Sequence, residues 1–146
     1  MRITQLCQRD VATVPREASV ADAARLMRER HIGSVVVLDE SLKPVGIVTD
    51  RDIVVQIVAA GLDHRGMSAG EIMSTPLLTV RDEADAREAL ASMRLRGIRR
   101  LPVVDADGFL VGIAALDDLI EVTRDALDDV VLAINSERAL ESWRRR

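Results

Sequence analysis

The side chains able to form a nucleophile–base pair or a metal shell are few: one cysteine, Cys7, and two histidines, His31 and His64. Their separations match no metal-ligand spacing, and no Ser/His/Asp or Cys/His arrangement accompanies them. No Gly-rich loop ending in Lys is present to cradle a phosphate. Carboxylates occur in pairs, Asp117-Asp118 and Asp128-Asp129, but on stretches that read as solvated helix faces. What remains is the chemistry of binding. Thr49 is followed three residues on by Asp52, Asp118 sits near the start of a later helix, and Arg99 and Arg100 are adjacent guanidiniums. Each also has a plain structural reading. A Thr before a helix caps it, an Asp in the first turn offsets the helix dipole, and neighbouring arginines are often a solvated pair. No catalytic residue and no catalytic cofactor are expected.

Composition narrows the partners. With 146 residues, 48% hydrophobic and 30% charged, the chain has the make-up of one soluble globular domain with a packed core. Phe109 and Trp143 are its only aromatics, so the core must be aliphatic, and the scarcity weighs against base-stacking platforms for single-stranded nucleic acid. A net charge of −4 lacks the basic face that a phosphate backbone requires. The longest apolar stretch, Ile53 to Leu62, is about half of what a bilayer crossing needs, and Met1 to Gln5 has no signal-peptide character. Neither nucleic acid nor membrane is expected as a partner, and the cytoplasm is the expected compartment. Cys7 has no disulfide partner within the chain.

An internal repeat organises the rest. Thr13-Val14 recurs as Thr79-Val80, a shift of 66 residues. The same shift carries Met27 to Met93, Ile32 to Ile98, Asp39 to Asp105, Gly46 to Gly112 and Asp52 to Asp118 without a gap. Each copy opens with a short β-prone run, Val11 to Val14 or Leu77 to Val80. A helix follows, with Ser19 as N-cap in the first copy and an apolar stripe at Val20, Ala23, Ala24 and Met27 that returns as Ala86, Ala89, Leu90 and Met93. Two strands joined by an acidic turn come next, Val35 to Leu38 with Val45 to Val48, and Leu101 to Val104 with Val111 to Ala114. A last helix carries Ile53, Val54 and Ile57, or Leu119 and Ile120. The fold class is α/β in the α+β sense: two βαββα repeats, residues 5–60 and 71–124, packed sheet to sheet with pseudo-twofold symmetry. Residues 61–70, with three glycines, read as a flexible linker. Residues 125–146 read as a helical extension whose apolar spacing needs a partner surface, interrupted at Asn135-Ser136 and ending in a solvated Arg144-Arg145-Arg146 tail.

The run from Val45 through Gly46, Thr49 and Asp52 to Ile53, together with Leu101-Pro102-Val103-Val104-Asp105 in a tandem repeat, resembles the cystathionine β-synthase (CBS) domain pair, or Bateman module. The resemblance spans about residues 3–125. It implies two composite clefts between the repeats that take AMP, ADP, ATP, S-adenosylmethionine or a related adenosyl ligand. It assigns ribose and phosphate contacts to Thr49 and Asp52 in one cleft and to Asp118 in the other, where Ala115 replaces the hydroxyl. It puts the adenine of the first cleft near Met73, Leu78 and Ile98, and that of the second near Cys7, Ala12 and Ile32. Arg99 and Arg100 occupy positions where related modules grip phosphate; the first repeat has Gly33 and Ser34 there. One cleft is therefore expected to dominate. The resemblance also implies a homodimer and a regulated protein on another chain. The alternative is a structural dimerisation module that binds no nucleotide.

Overall fold

The computed structural model describes residues 1–144; Arg145 and Arg146, the end of the expected solvated tail, lie outside the described residues. The first half comprises β1 (Thr13–Pro15), α1 (Val20–Arg30), β2 (Ser34–Leu38), β3 (Pro44–Thr49) and α2 (Asp50–Ile53), which runs on through a π-helical turn at Val54–Val58. The second comprises α3 (Ala69–Ile72), β4 (Val80–Arg81), α4 (Ala86–Arg96), β5 (Arg100–Val104), β6 (Leu110–Ala115) and α5 (Leu116–Arg144). Each half holds one three-stranded sheet, ordered β1-β2-β3 or β4-β5-β6, with a parallel first pair and an antiparallel hairpin. β1 and β4 are shorter than the β-prone runs predict; Val11, Ala12, Leu77 and Leu78 precede them and line cavities, and Ala12 O still accepts from Val36 N–H of β2 at 2.9 Å.

The 66-residue shift survives in the backbone. Asp39 Oδ1 accepts from the amides of Ser41 and Lys43, and Asp105 Oδ1 accepts from those of Asp107 and Phe109, closing both hairpin turns in the same way. A bulge falls at Val37/Leu38 in one hairpin and at Val103/Val104 in the other. The left-handed residue that ends α1 is His31 (φ 54°), and its counterpart after α4 is Gly97 (φ 64°). The Ser19 hydroxyl accepts from the Asp22 amide at 3.0 Å, so α1 starts where its N-cap predicts.

Burial follows the stripes with one correction. Val20, Ala23 and Met27 of α1 pack against Val35, Val37 and Val48; Ala89 and Met93 of α4 pack with Leu101, Val103, Ala114 and Leu119. Leu90, expected in the core, is 38% exposed, since it stands at the edge of the stripe that Ala89 and Met93 bury. Val36 and Pro102 point from the opposite sheet face to Val35 and Leu101 and are also fully buried, so both faces of each sheet are covered.

The head segments exchange halves. Ile3 and Leu6 pack into the core of the second half, where Ile3 N–H donates to Ala84 O and Gln8 pairs with Ile113 beside β6. Conversely, Met67, Ile72 and Met73 pack into the first core, and Ser74 N–H donates to Ile47 O at 2.9 Å. Full burial of Ile3 alone is worth roughly 1.5–3 kcal/mol and contributes to holding the N-terminal segment across the divide. The expected flexible linker is thus ordered from Met67 onward: Met67 O accepts from Val20 N–H, while the amides of Ala69 and Gly70 donate to Ala18 and Arg16. Glycine is required where the strands pass beneath these segments. A Cβ at Gly46 would fall on the Met73 side chain, and one at Gly112 would stand 2.6 Å from Cys7 Sγ.

α5 is continuous through Asn135 and Ser136, correcting the expected interruption. Ser136 Oγ donates to Leu132 O at 2.9 Å and Thr123 Oγ to Leu119 O at 2.8 Å, so these hydroxyls are satisfied inside the helix and do not end it. Leu127, Val130, Val131 and Ile134 remain exposed. Among the described residues no helix is long and apolar enough to cross a membrane.

Candidate ligand-binding site

Two cavities lie between the halves, each built from both. The larger, about 560 Å³, takes Ile47, Thr49, Asp50, Arg51 and Asp52 from the β3–α2 junction. Across it stand Ser74, Leu77, Leu78, Arg96, Ile98, Arg99 and Arg100 of the second half. The smaller, about 220 Å³, takes Ile113, Ala115, Asp117 and Asp118 from the β6–α5 junction. Across it stand Gln8, Asp10, Val11, Ala12, His31, Ile32, Gly33 and Ser34. Almost every position in one has its counterpart 66 residues away in the other. Only the larger reaches the several hundred cubic ångströms typical of a small-molecule site.

The strand-to-helix junction positions the polar groups. β3 hands directly to α2, and the Asp50 amide donates to Gly33 O at 3.0 Å, just as the Leu116 amide donates to Arg99 O at 2.9 Å where β6 meets α5. At the first junction Thr49 and Asp52 form a reciprocal capping box. Asp52 Oδ2 accepts from the Thr49 amide at 2.8 Å and Thr49 Oγ accepts from the Asp52 amide at 3.1 Å. The structural reading of this pair therefore holds, and it fixes both side chains at the cavity wall. The Thr49 hydroxyl hydrogen and the second carboxylate oxygen of Asp52 stay available to a ligand. At the second junction Ala115 cannot form the box. Asp118 Oδ1 accepts instead from Gln8 Nε2 at 3.1 Å, and its buried Oδ2 has no protein partner. The Gln8 side chain occupies the very place where the first cavity leaves Asp52 open.

Long-range packing, not sequence neighbourhood, sorts the charges. Arg99 precedes β5 of the second half and Arg100 begins it, yet both line the larger cavity with Thr49 and Asp52. Hydroxyl, carboxylate and guanidiniums are thus brought into one cleft. Arg51, Arg96, Arg99 and Arg100 set four positive charges there against Asp50 and Asp52. The smaller cavity carries Asp10, Asp117 and Asp118 against the single guanidinium of Arg100. The first cleft suits an anionic ligand and the second does not.

Of the expected adenine-side residues, Leu78 and Ile98 line the first cleft and Ala12 and Ile32 the second; Ser34 lines the second as well. Met73 and Cys7 do not line them. Both sit beneath the adjacent strand glycines, Met73 in the first core and Cys7 against the second. Burial pushes the Cys7 thiol up from its ordinary value, which suits a packing role and not that of a reactive thiolate. His31 is exposed and lines the second cleft, at the position that Gly97 holds in the first. Asp50, Arg51, Ser74 and Arg96 escape the sequence reading. Arg51 lies between two residues that drew attention and had no motif of its own. Among the described residues no group of three or more His, Cys, Asp or Glu is placed to hold a metal ion.

Comparison with known proteins yields one family. A family model described as CBS domain matches residues 3–59 and again residues 69–125. An uncharacterized protein of Methanopyrus kandleri is 39% identical over 120 residues, covering 82% of this chain; the chain spans 61% of that relative's length. Hypoxic response protein 1 of Mycobacterium tuberculosis is 35% identical over 133 residues, covering 90% of this chain and 92% of the relative. The solved structure of a CBS domain protein from Pyrobaculum aerophilum complexed with AMP superposes with a TM-score of 0.75 at 30% identity, covering 82% of this chain and 90% of that one.

Proposed function

The chain belongs to the CBS-domain family, carrying two copies of the domain, and from that premise we propose that it is a regulatory module which binds an adenine nucleotide in the larger cleft. The observation that carries this reading is the convergence of Thr49 and Asp52 from one half with Arg99 and Arg100 from the other on a single cavity of about 560 Å³. Leu78 and Ile98 give the base an apolar slot. Asp52 accepts the ribose hydroxyls, and the guanidiniums pair with phosphate oxygens in the fork geometry that arginine offers and lysine lacks. Their charge favours AMP, ADP or ATP over S-adenosylmethionine, whose sulfonium is itself positive. The relative crystallised with AMP supports the ligand class.

No catalytic step is assigned to the chain, and CBS-domain relatives of unassigned activity fit a module that informs another protein in the cytoplasm. A ligand bridging both halves binds one relative arrangement of them better than another, which is the condition for a signal to pass to a regulated partner. The exposed apolar residues of the π-helical turn and α5, Val54, Val55, Val58, Leu127, Val130 and Val131, favour association into a homodimer. A module that only associates is the second reading.

Calorimetric titration with AMP, ADP, ATP and S-adenosylmethionine tests the proposal, with Asp52→Asn as control. An Asn amide oxygen still accepts from the Thr49 amide, so the cap persists while the charge is lost. At least one nucleotide is expected to bind, and to bind about tenfold or more weakly to the variant, since hydrogen bonds to charged groups are worth roughly 1.5–3 kcal/mol. Absence of heat from every ligand, or equal affinity in the variant, overturns the reading and leaves the association module.

A further inference from the structure

Two arginines of the first cleft reach the second. Arg99 lines the first cleft, and its Nη2 stands 2.9 Å from Oδ1 of Asp117, which lines the second. Arg100 lines both clefts. Its guanidinium has room because the residue opposite Arg99 in the repeat is Gly33: a Cβ there would stand 3.1 Å from Arg100 Nη2 and from Asp50 Oδ2. Among the described residues, Arg100 is the only arginine lining the second cleft, which otherwise holds Asp10, Asp117 and Asp118. The carboxyl of Asp118 is already short of a donor, with Oδ2 buried and unpartnered.

We infer that these two guanidiniums couple the clefts, Arg100 by lining both and Arg99 by its ion pair with Asp117, so that the clefts exclude each other's anions: a polyphosphate nucleotide fills the first cleft at one equivalent per chain and strips the second of its only arginine. This rests on the nucleotide reading of the first cleft. The Arg99–Asp117 pair leaves about two thirds of each side chain exposed (68% and 67%), a setting in which ion pairs are weak. A phosphate entering the first cleft offers Arg99 a bidentate, doubly charged partner and displaces Asp117. Arg100 swings to the same phosphates. The second cleft then presents three carboxylates with no arginine among them, and a second nucleotide meets only like charge. The two sites are therefore negatively coupled through Arg100, which lines both, and through Arg99, which is paired with a carboxylate of the second, and the coupling is reciprocal.

The experiment is calorimetric titration of the full chain with ATP, comparing wild type, Asp117→Asn and Asp10→Asn, each first shown to melt like wild type. Asp117 lies outside the first cleft. Its neutralisation frees Arg99 in advance, and it is expected to tighten ATP binding by up to about fivefold, the equivalent of the upper end for an exposed pair. Asp10→Asn removes a carboxylate of the same second cleft whose partner is Arg30, not Arg99, and is expected to stay within about twofold of wild type. Wild type is expected to bind one equivalent. Two equivalents in wild type, or an Asp117→Asn affinity equal to that of wild type or of Asp10→Asn, overturns the guanidinium-coupling inference while leaving the nucleotide reading intact. Absence of ATP binding in wild type overturns both.

Discussion

Gly46→Ala should destabilise the protein by about 1–3 kcal/mol, because a methyl at this position falls on the Met73 side chain. An ideal Cβ at Gly46 would stand 2.7 Å from Met73 Cγ and 2.9 Å from Met73 Cβ, and closer still to Met73 Sδ. A rotamer change moves the Met73 sulfur and Cγ, but its Cβ is set by the backbone. That backbone is tied on either side, by Met73 N–H to Ala69 O and by Ser74 N–H to Ile47 O, the residue next to Gly46. Overpacking of this kind costs roughly 1–3 kcal/mol. If the crossing segment lifts instead, the Ser74 hydrogen bond is lost at about 1 kcal/mol. At about 3 °C per kcal/mol for a chain of this length, the melting temperature should fall by about 3–9 °C. Urea unfolding followed by circular dichroism measures the change. The double variant with Met73→Ala separates this clash from any effect confined to β3. Met73→Ala alone should cost about 2–5 kcal/mol as a cavity, yet the pair should be less destabilised than the sum by at least 1 kcal/mol, since each change relieves the other. Strict additivity, or a Gly46→Ala variant within about 0.5 kcal/mol of wild type, would refute the argument.

Two further outcomes follow from the repeat and its caps. Leu42 holds φ 62° at a turn position where the second repeat has Gly108 at φ 88°, and its side chain is mostly solvent-exposed. Leu42→Gly is therefore expected to raise stability by about 0.5–1 kcal/mol, the relief of left-handed strain less the added chain entropy, and a lower urea midpoint would contradict this. Glu71 is held below the ordinary carboxylate value by the Ser68 amide it accepts from at 2.6 Å, and Asp85 is held low by the Arg87 amide and then by the N-terminal amine at 3.0 Å. Both folded values lie below the unfolded ones, so their stabilisation is complete above the unfolded value and fades as pH falls through the folded one. Stability should decline as pH drops below about 5, and Glu71→Gln with Asp85→Asn should make that decline shallower; an unchanged slope would count against these caps.

The order of strands and helices was legible because it rests on local signals. A gap-free shift of 66 residues, period-2 runs such as Val35 to Leu38, a Ser19 cap and acidic hairpin turns each act over a handful of residues. The Thr49–Asp52 pair was legible for the same reason, its three-residue spacing being that of a capping box. Leu90 and Asn135-Ser136 misled because a stripe's edge and a satisfied hydroxyl are decided by neighbours the sequence does not display.

From its residues alone, then, the chain determines two βαββα copies and their chemical inequality, Thr49 against Ala115 and Gly33-Ser34 against Arg99-Arg100. Only the tertiary structure decides that the hydroxyl of one copy and the arginines of the other meet in the same cleft, that Gln8 fills the equivalent place in the second, and that Met73 and Cys7 serve the cores. The physical reason is range. Periodicity and capping report on backbone within a turn or two, whereas the clefts are assembled by head segments that cross between halves and by burial of Ile3 and Ile72 far from their sequence neighbours. No local pattern records such a crossing, because its energy comes from surfaces that meet only once both halves have folded.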